Sequence, residues 1–120
     1  MTRGPSVFDS VTSAALQSAL DGLSMRQRVI ANNIANINTT NYHAEKVQFE
    51  DALAKSVVEG NGSTTPTIAR SLEPTNTNGN NVNLDEETLS NVDTVLRYQF
   101  ATQAMNSELT SVRAAMRTNS

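Results

Sequence analysis

The sequence predicts a mainly α protein in which two long terminal helices form an elongated, coiled-coil-like hairpin, with a partly irregular segment between them. Apolar residues recur at steps of three and four over 7–37 and again over 84–117, which is the spacing of one helical face. Helices of these lengths span about 46 Å and about 51 Å, whereas a compact domain of 120 residues has a radius of gyration of roughly 14 Å. We therefore expect residues 1–120 to form one elongated unit that leaves apolar surface for further copies or partners.

The first helix, over 7–37, carries a heptad-like seam that is interrupted once by a glutamine. The seam consists of Leu16, Leu20, Leu23, Gln27, Ile30, Ile34 and Ile37. Such a stripe is most often simply the buried face of a helical hairpin. The length of the helices favours an additional role in assembly.

The middle segment, over 38–83, is less regular. Apolar residues with a spacing of four predict a short helix near 48–59. Residues 60–82 predict a flexible loop, or at most a poor hairpin, that buries little surface, because Gly, Asn, Ser, Thr and Pro dominate there. The dipeptides Asn61-Gly62 and Asn78-Gly79 are typical of turns, although little alternating sequence surrounds them.

The second long helix, over 84–117, has a strong start signal. Asn83 is a suitable cap and Glu86 occupies the capping-box position, while Asp85 and Glu87 add negative charge at the positive end of the helix dipole. Its apolar positions are Leu89, Val92, Leu96, Phe100, Met105, Leu109, Val112 and Met116.

The composition excludes several classes of protein. The formal charge is -3 and the nine Lys and Arg residues are scattered, so we expect no nucleic-acid partner. The chain has no cysteine, which removes disulfides, thiolate nucleophiles and cysteine metal sites. Neither a secretory signal nor an apolar run long enough to span a membrane is present in the sequence.

No pattern in the sequence indicates catalytic, cofactor or metal chemistry, so an enzyme is the least favoured class. The only histidine, His43, has no second histidine or cysteine with which to bind zinc, and is interpreted as a loop side chain. Residues 74–85 faintly resemble a calcium loop, but Pro74 occupies the essential first position and has no side-chain oxygen. We therefore interpret the acidic residues that follow as part of a helix start.

The asparagine-rich stretch after the first helix carries a family resemblance. Residues 31–36, "ANNIAN", followed by Thr39 and by Asn41-Tyr42, resemble the "ANNIAN…TPGY" signature of bacterial flagellar rod and hook proteins, the axial family. Residues 79–87, "GNNVNLDEE", resemble the C-terminal half of a proximal rod member of that family.

Two features depart from the family pattern. Thr40 stands where the signature usually has proline, and six or seven extra residues precede "VFDSV", the counterpart of the usual "MFD"-like start. The first departure affects only a preset turn geometry.

The resemblance implies a structural subunit of the proximal rod of the flagellar basal body, which links the membrane base to the distal rod and transmits torque. It implies terminal helices packed in the inner layer of a helical tube and export without a cleaved signal. The implied partners are copies of itself, other flagellar rod proteins, the rod base at the MS-ring junction and the flagellar type III export apparatus, with no cofactor. Two alternatives stay open, namely a second small proximal rod protein of the family and a soluble helical-hairpin adaptor or chaperone.

We predict that the apolar seams and the asparagines beside them form the assembly interface. Asn32, Asn33 and Asn36 fan out from the edge of the first seam, and neutral amides there suggest contact with other protein on several sides. Asn38 and Asn41 are interpreted as turn residues. The predicted interface comprises Leu16, Leu20, Leu23, Ile30, Asn32, Asn33, Ile34, Asn36, Ile37, Tyr42, Leu89, Val92, Leu96, Phe100, Met105, Leu109, Val112 and Met116.

Overall fold

Two long antiparallel helices, with a small module packed against one end of the pair, make up the fold of the computed structural model. The model describes residues 7–118, with side chains described over 10–117. The elements in order are α1 (Val7–Ala35), β1 (Glu45–Gln48), α2 (Glu50–Val58), β2 (Thr67–Arg70) and α3 (Leu84–Thr118). The molecule measures 66 × 25 × 15 Å and has a radius of gyration of 18.6 Å. The predicted fold class, a mainly α elongated hairpin, is confirmed.

The described core is small and lies where β1 and the start of α2 meet α1. It consists of Leu23, Val47 and Phe49, with partly buried side chains around them. Gly22 is required at this contact, because a Cβ there would lie 2.5 Å from Cδ1 of Phe49. The aromatic ring therefore packs directly on the backbone of α1.

The middle segment is more ordered than the sequence predicts. β2 pairs antiparallel with β1, from Glu45 opposite Arg70 to Gln48 opposite Thr67. The predicted flexible loop over 60–82 therefore contains a strand that the sequence does not predict, because four residues give too short an alternation of apolar and polar side chains.

The loop before β2 is also fastened to α1. Ser18 Oγ donates to the carbonyl oxygen of Gly62 at 3.2 Å, and the Thr64 amide donates back to Ser18 Oγ at 3.2 Å. Gly62 has φ +75° and is buried. Most residues over 60–82 are exposed, as the sequence predicts, but this part of the loop is fixed to α1.

The turn between α1 and β1 has a defined backbone conformation at both of its ends. α1 ends at Ala35, and Asn36 and Ile37 continue as a tight turn through hydrogen bonds to residues 32–34. Asn41 has φ +61°, a left-handed conformation that asparagine tolerates better than other non-glycine residues. Asn41 therefore acts as the turn residue that the sequence predicts.

Candidate assembly surface

One apolar stripe of α3 faces away from the rest of the subunit. With about 100° per residue and Leu96 at 0°, Leu89 lies at about 20°, Val92 at about -40° and Phe100 at about 40°. Their exposed fractions are 72% for Leu89, 63% for Val92, 50% for Leu96 and 63% for Phe100. We call these four residues the outward stripe.

The opposite face of α3, which packs on α1, is mostly polar or small in the same half of the helix. Thr94, at about 160° from Leu96, is fully buried, and Glu87, at about 180°, is 7% exposed. Ala101 packs against the core on this side. The first half of α3 thus turns its small and polar residues inward and its large apolar residues outward.

Hydrogen bonds from a buried asparagine explain how a polar helix face can close the hairpin. Asn33 is 0% exposed, and its Nδ2 donates to the carbonyl oxygen of Glu45 at 2.8 Å and to Oε1 of Glu87 at 3.1 Å. Its Oδ1 accepts from the Glu45 amide at 3.0 Å and from the Tyr42 hydroxyl at 2.9 Å. Asn33 therefore joins α1, β1 and α3 within one chain.

Two further buried asparagines fasten the segment before α3. Asn80 Nδ2 donates to the carbonyl oxygens of Asn36 at 2.9 Å and Thr39 at 2.8 Å. Asn81 Oδ1 accepts from the Ala44 amide at 2.7 Å, while its Nδ2 donates to two carbonyl oxygens after β2. We call Asn33, Asn80 and Asn81 the asparagine clasp.

The clasp changes the interpretation of the asparagines. Asn33 is saturated by its own chain, so its amide is not available to a neighbouring subunit in this conformation. Asn32 is exposed and donates to the Tyr42 hydroxyl at 3.0 Å, and Asn36 is half-buried and donates to the Asn32 carbonyl at 2.8 Å. Of the three, Asn32 therefore presents the most surface to other protein.

A charged bridge links both long helices to α2. Arg26 donates to both carboxylate oxygens of Glu50, at 2.5 and 2.8 Å, and to the Val47 carbonyl at 2.6 Å. Its guanidinium also lies 5.0 Å from the centre of the Phe49 ring. Arg97 of α3 lies 3.5 Å from the same Glu50 carboxylate.

Hydrogen bonds from Arg26 are the main reason that the pKa of Glu50 lies below its ordinary value, although burial opposes the shift.

Glu87 has the opposite electrostatic environment. Burial raises its pKa above the ordinary value, the hydrogen bond from Asn33 and the charge of Lys46 oppose the shift, and the charge of Glu86 adds to it. Burial also raises the pKa of the Tyr42 hydroxyl. The inner end of the hairpin is therefore a desolvated polar region.

The cavities of the described residues are open to solvent and are lined by both polar and apolar side chains. The one between α1, β1 and α3 has a volume of about 260 Å³ and is lined in part by Arg26, Lys46 and Glu87. Across residues 7–118, no group of three or more His, Asp or Glu side chains is placed to hold a metal ion. His43 lies with its Nδ1 2.5 Å from Nη2 of Arg70.

The structure divides the predicted interface into three groups by exposure. The buried group, with contacts inside the subunit, is Leu23, Ile30 and Asn33. The half-buried group is Leu16, Leu20, Ile34, Asn36, Ile37, Tyr42 and Met105. The exposed group is Asn32, Leu89, Val92, Leu96, Phe100, Leu109, Val112 and Met116.

Sequence reasoning missed the structural roles of Asn80, Asn81 and Thr94. The only signal for the two asparagines is the polar run before α3, which predicts a loop and a helix start. Asn83 does cap α3, since its Oδ1 accepts from the Glu86 amide at 3.2 Å.

Known proteins resemble this chain over most of its length. Residues 15–43 match the family described as flagella basal body rod protein. The flagellar basal body rod protein FlgB of Bacillus subtilis (strain 168) is 31% identical over 118 residues, covering 84% of this chain and 89% of the relative. The chain belongs to the FlgB family of flagellar basal body rod proteins. Similar coverage holds for FlgB of Borreliella burgdorferi, at 28% identity over 82% and 90% of the two chains, and of Escherichia coli (strain K12), at 29% over 78% and 83%.

Membership of the FlgB family decides the class of function. The protein is a structural subunit of the flagellar basal-body rod and not an enzyme. The relatives do not favour the second small rod protein, FlgC, or a soluble adaptor. No helix within the described part of this FlgB-family chain combines the length and hydrophobicity needed to cross a membrane.

Proposed function

We propose that this subunit polymerises through its terminal helices, with copies of itself and with other rod proteins, to build the proximal rod that links the membrane base to the distal rod. In this proposal it is exported by the flagellar type III apparatus into the cell envelope and contacts the rod base at the MS ring. Torque is then transmitted by stacked, stiff helices.

The outward stripe of α3 is the observation that carries the proposal. Four large apolar side chains of α3 are exposed by half or more, on the face turned away from α1. Monomeric proteins rarely expose contiguous patches of this kind unless a partner covers them. Neighbouring subunits would bury Leu89, Val92, Leu96 and Phe100.

The small core supports coupled folding and assembly. The main cluster of buried apolar side chains among the described residues has three members, with partly buried neighbours around it, and small cores contribute little net stability. When neighbours bury the outward stripe, each Å² of apolar surface removed from water contributes roughly 25 cal/mol of favourable free energy. Binding of neighbours to the folded state therefore stabilises the folded subunit by mass action.

A single charge in the stripe tests the proposal. Leu96→Lys should leave the helix content of the monomer unchanged, because Leu96 is exposed, but should abolish motility and remove the subunit from isolated basal bodies. Asn91→Lys is the matched control, since it places the same charge on an exposed position of α3, about 140° from Leu96. Normal motility of the Leu96→Lys strain would refute the role of the stripe.

The soluble-adaptor alternative gives a different result in the same experiment. An adaptor would be absent from isolated basal bodies even in the unmodified strain. Subunit density in those basal bodies therefore separates the two functions without any mutation.

A further inference from the structure

We propose that the outward stripe also pairs with the outward stripe of a second copy, antiparallel and across a two-fold axis, to form a weak dimer of the unassembled subunit. The biological meaning of this dimer rests on the proposed rod function, because its effect is to cover the stripe before assembly. Its existence rests only on the surface itself.

The apolar spacing of the stripe is self-complementary. Leu89, Val92 and Leu96 follow the three-four spacing at which helices interlock side chains, and Phe100 extends it by one turn. With the two-fold axis between residues 94 and 95, Leu89 lies opposite Phe100 of the second copy. Val92 then lies beside Leu96 of the second copy. Every large residue of the stripe thus has an apolar partner.

The charges beside the stripe are also self-complementary. Asp93 at about 60° and Arg97 at about 100° lie on the same side of the stripe, and within one chain Arg97 Nε is 2.9 Å from Asp93 Oδ2. In an antiparallel pair the same sides of the two helices face each other, so Asp93 of each copy lies beside Arg97 of the other. The other side of the stripe carries the neutral residues Thr88, Val95 and Gln99. No pair of like charges opposes the contact there.

The area of the stripe favours a weak dimer. The exposed parts of its four side chains amount to on the order of 400 Å² per copy, or on the order of 800 Å² per pair, which is below the size of a standard stable interface. Such a contact dissociates readily. Rod neighbours that bury more of the subunit can therefore displace the second copy.

The symmetry of the dimer separates it from the rod contact. A two-fold contact is closed, because both copies use the same surface and none is left to continue a polymer. Subunits in a polar rod share one direction along its axis. The antiparallel dimer thus covers the assembly surface without starting a polymer. Free subunits in this dimer are therefore prevented from polymerising too early.

Cross-linking tests the antiparallel arrangement, because the chain has no cysteine of its own. Leu89→Cys and Phe100→Cys are made in separate full-length chains, which should fold normally because both positions are exposed, as circular dichroism will check. After oxidation, a mixture of the two variants should give at least about tenfold more disulfide dimer than either variant alone, since pairing raises the local concentration of the two thiols. Equal disulfide yields from the mixture and from the single variants, or a higher yield from one variant alone, would overturn the proposal.

Sedimentation of uncross-linked protein tests the charge pairs. Asp93→Ala removes the two reciprocal ion pairs but keeps the contact of Arg97 with Glu50, and it should weaken dimerisation about fivefold, since exposed pairs contribute modestly. Arg113→Ala, on an exposed position of the same helix outside the stripe, should leave the dimer unchanged. A subunit that stays monomeric at all concentrations but enters basal bodies would refute the dimer and leave the rod function intact. A dimeric subunit absent from basal bodies would refute the rod function and leave the dimer intact.

Discussion

At the scale of single residues, buried side-chain amides determine how the two helices are joined. An asparagine offers two donors and an acceptor oxygen in one short side chain, and Asn33 uses them on Tyr42, Glu45 and Glu87 at once. Across the described residues, no buried side-chain nitrogen or oxygen lacks a hydrogen-bond partner. The polar interior of the hairpin is therefore stable because it is fully satisfied.

Asn33→Leu should destabilise the free subunit and not only its assembly. The substitution leaves the half-buried Glu45 amide and the buried Glu87 carboxylate without their partner, and each such loss costs about 1–3 kcal/mol. Urea denaturation should therefore show a loss of at least about 2 kcal/mol or no folded state. Asn38→Leu, at an exposed turn position, should change stability by less than about 0.5 kcal/mol. Equal stability of both variants would contradict the role of the clasp.

Glu87→Gln should change the pH dependence of stability in a defined direction. Because burial raises the pKa of Glu87, the native protein gains stability from this group below its unfolded pKa and loses it as pH rises through the folded pKa. Glutamine does not titrate. The free energy of unfolding of Glu87→Gln, relative to the parent protein, should therefore increase as pH rises through the folded pKa of Glu87.

Glu50→Gln provides a control of opposite sign for that measurement. Hydrogen bonds from Arg26 lower the pKa of Glu50, so its stabilising contribution is present above its unfolded pKa and is lost as pH falls. The relative stability of Glu50→Gln should therefore decrease as pH rises. Denaturation curves that move in the same direction for both variants would contradict this account.

At the scale of elements, the placement of α3 follows from contacts at its two sides and not from the large apolar residues of its outward stripe. The clasp fixes where α3 begins, and the bridge from Arg97 through Glu50 to Arg26 fixes which side faces α2. The apolar positions of α3 change sides along its length: the stripe from Leu89 to Phe100 faces outward, whereas Met105 is half-buried on the opposite side. The helix is therefore shaped for two different contacts.

Arg26→Lys should loosen the middle module from the helices. Lysine cannot reproduce the forked contact with Glu50, the bond to the Val47 carbonyl and the contact with the Phe49 ring together. We expect a loss of about 2 kcal/mol in the free energy of unfolding, with faster hydrogen exchange in β1. Arg28→Lys is the matched control, because Arg28 is exposed and its contact is with Ser24 of its own helix. A similar effect of both substitutions would contradict the assignment.

At the scale of the whole molecule, stability is concentrated at one end of a long hairpin. The clasp, the core and the charged bridge all lie between the end of α1 and the first half of α3, while residues from Leu109 to Arg117 are exposed. Long helical ends with few tertiary contacts open readily. The free subunit is therefore well ordered near the middle module and less so at the far end of α3.

Hydrogen exchange on the dilute subunit measures this gradient. Amides of α3 around Thr94, which is fully buried, should exchange much more slowly than amides over 109–117. Assembly into the rod should then protect the far end of α3. Uniform protection of both helices in the dilute monomer would contradict coupled folding and assembly.

The sequence by itself determined the helical hairpin, because three-four periodicity, cap residues and helix length are local properties that survive without knowledge of contacts. It also determined the flagellar rod family, because the "ANNIAN" stretch lies in one continuous segment. Only the tertiary structure decided that Asn33 is buried within the subunit, that 60–82 includes a strand, and that the stripe of Leu96 faces outward. These features depend on which side of α3 meets α1, and hydrogen bonds between residues as far apart in sequence as Asn33 and Glu87 set that orientation.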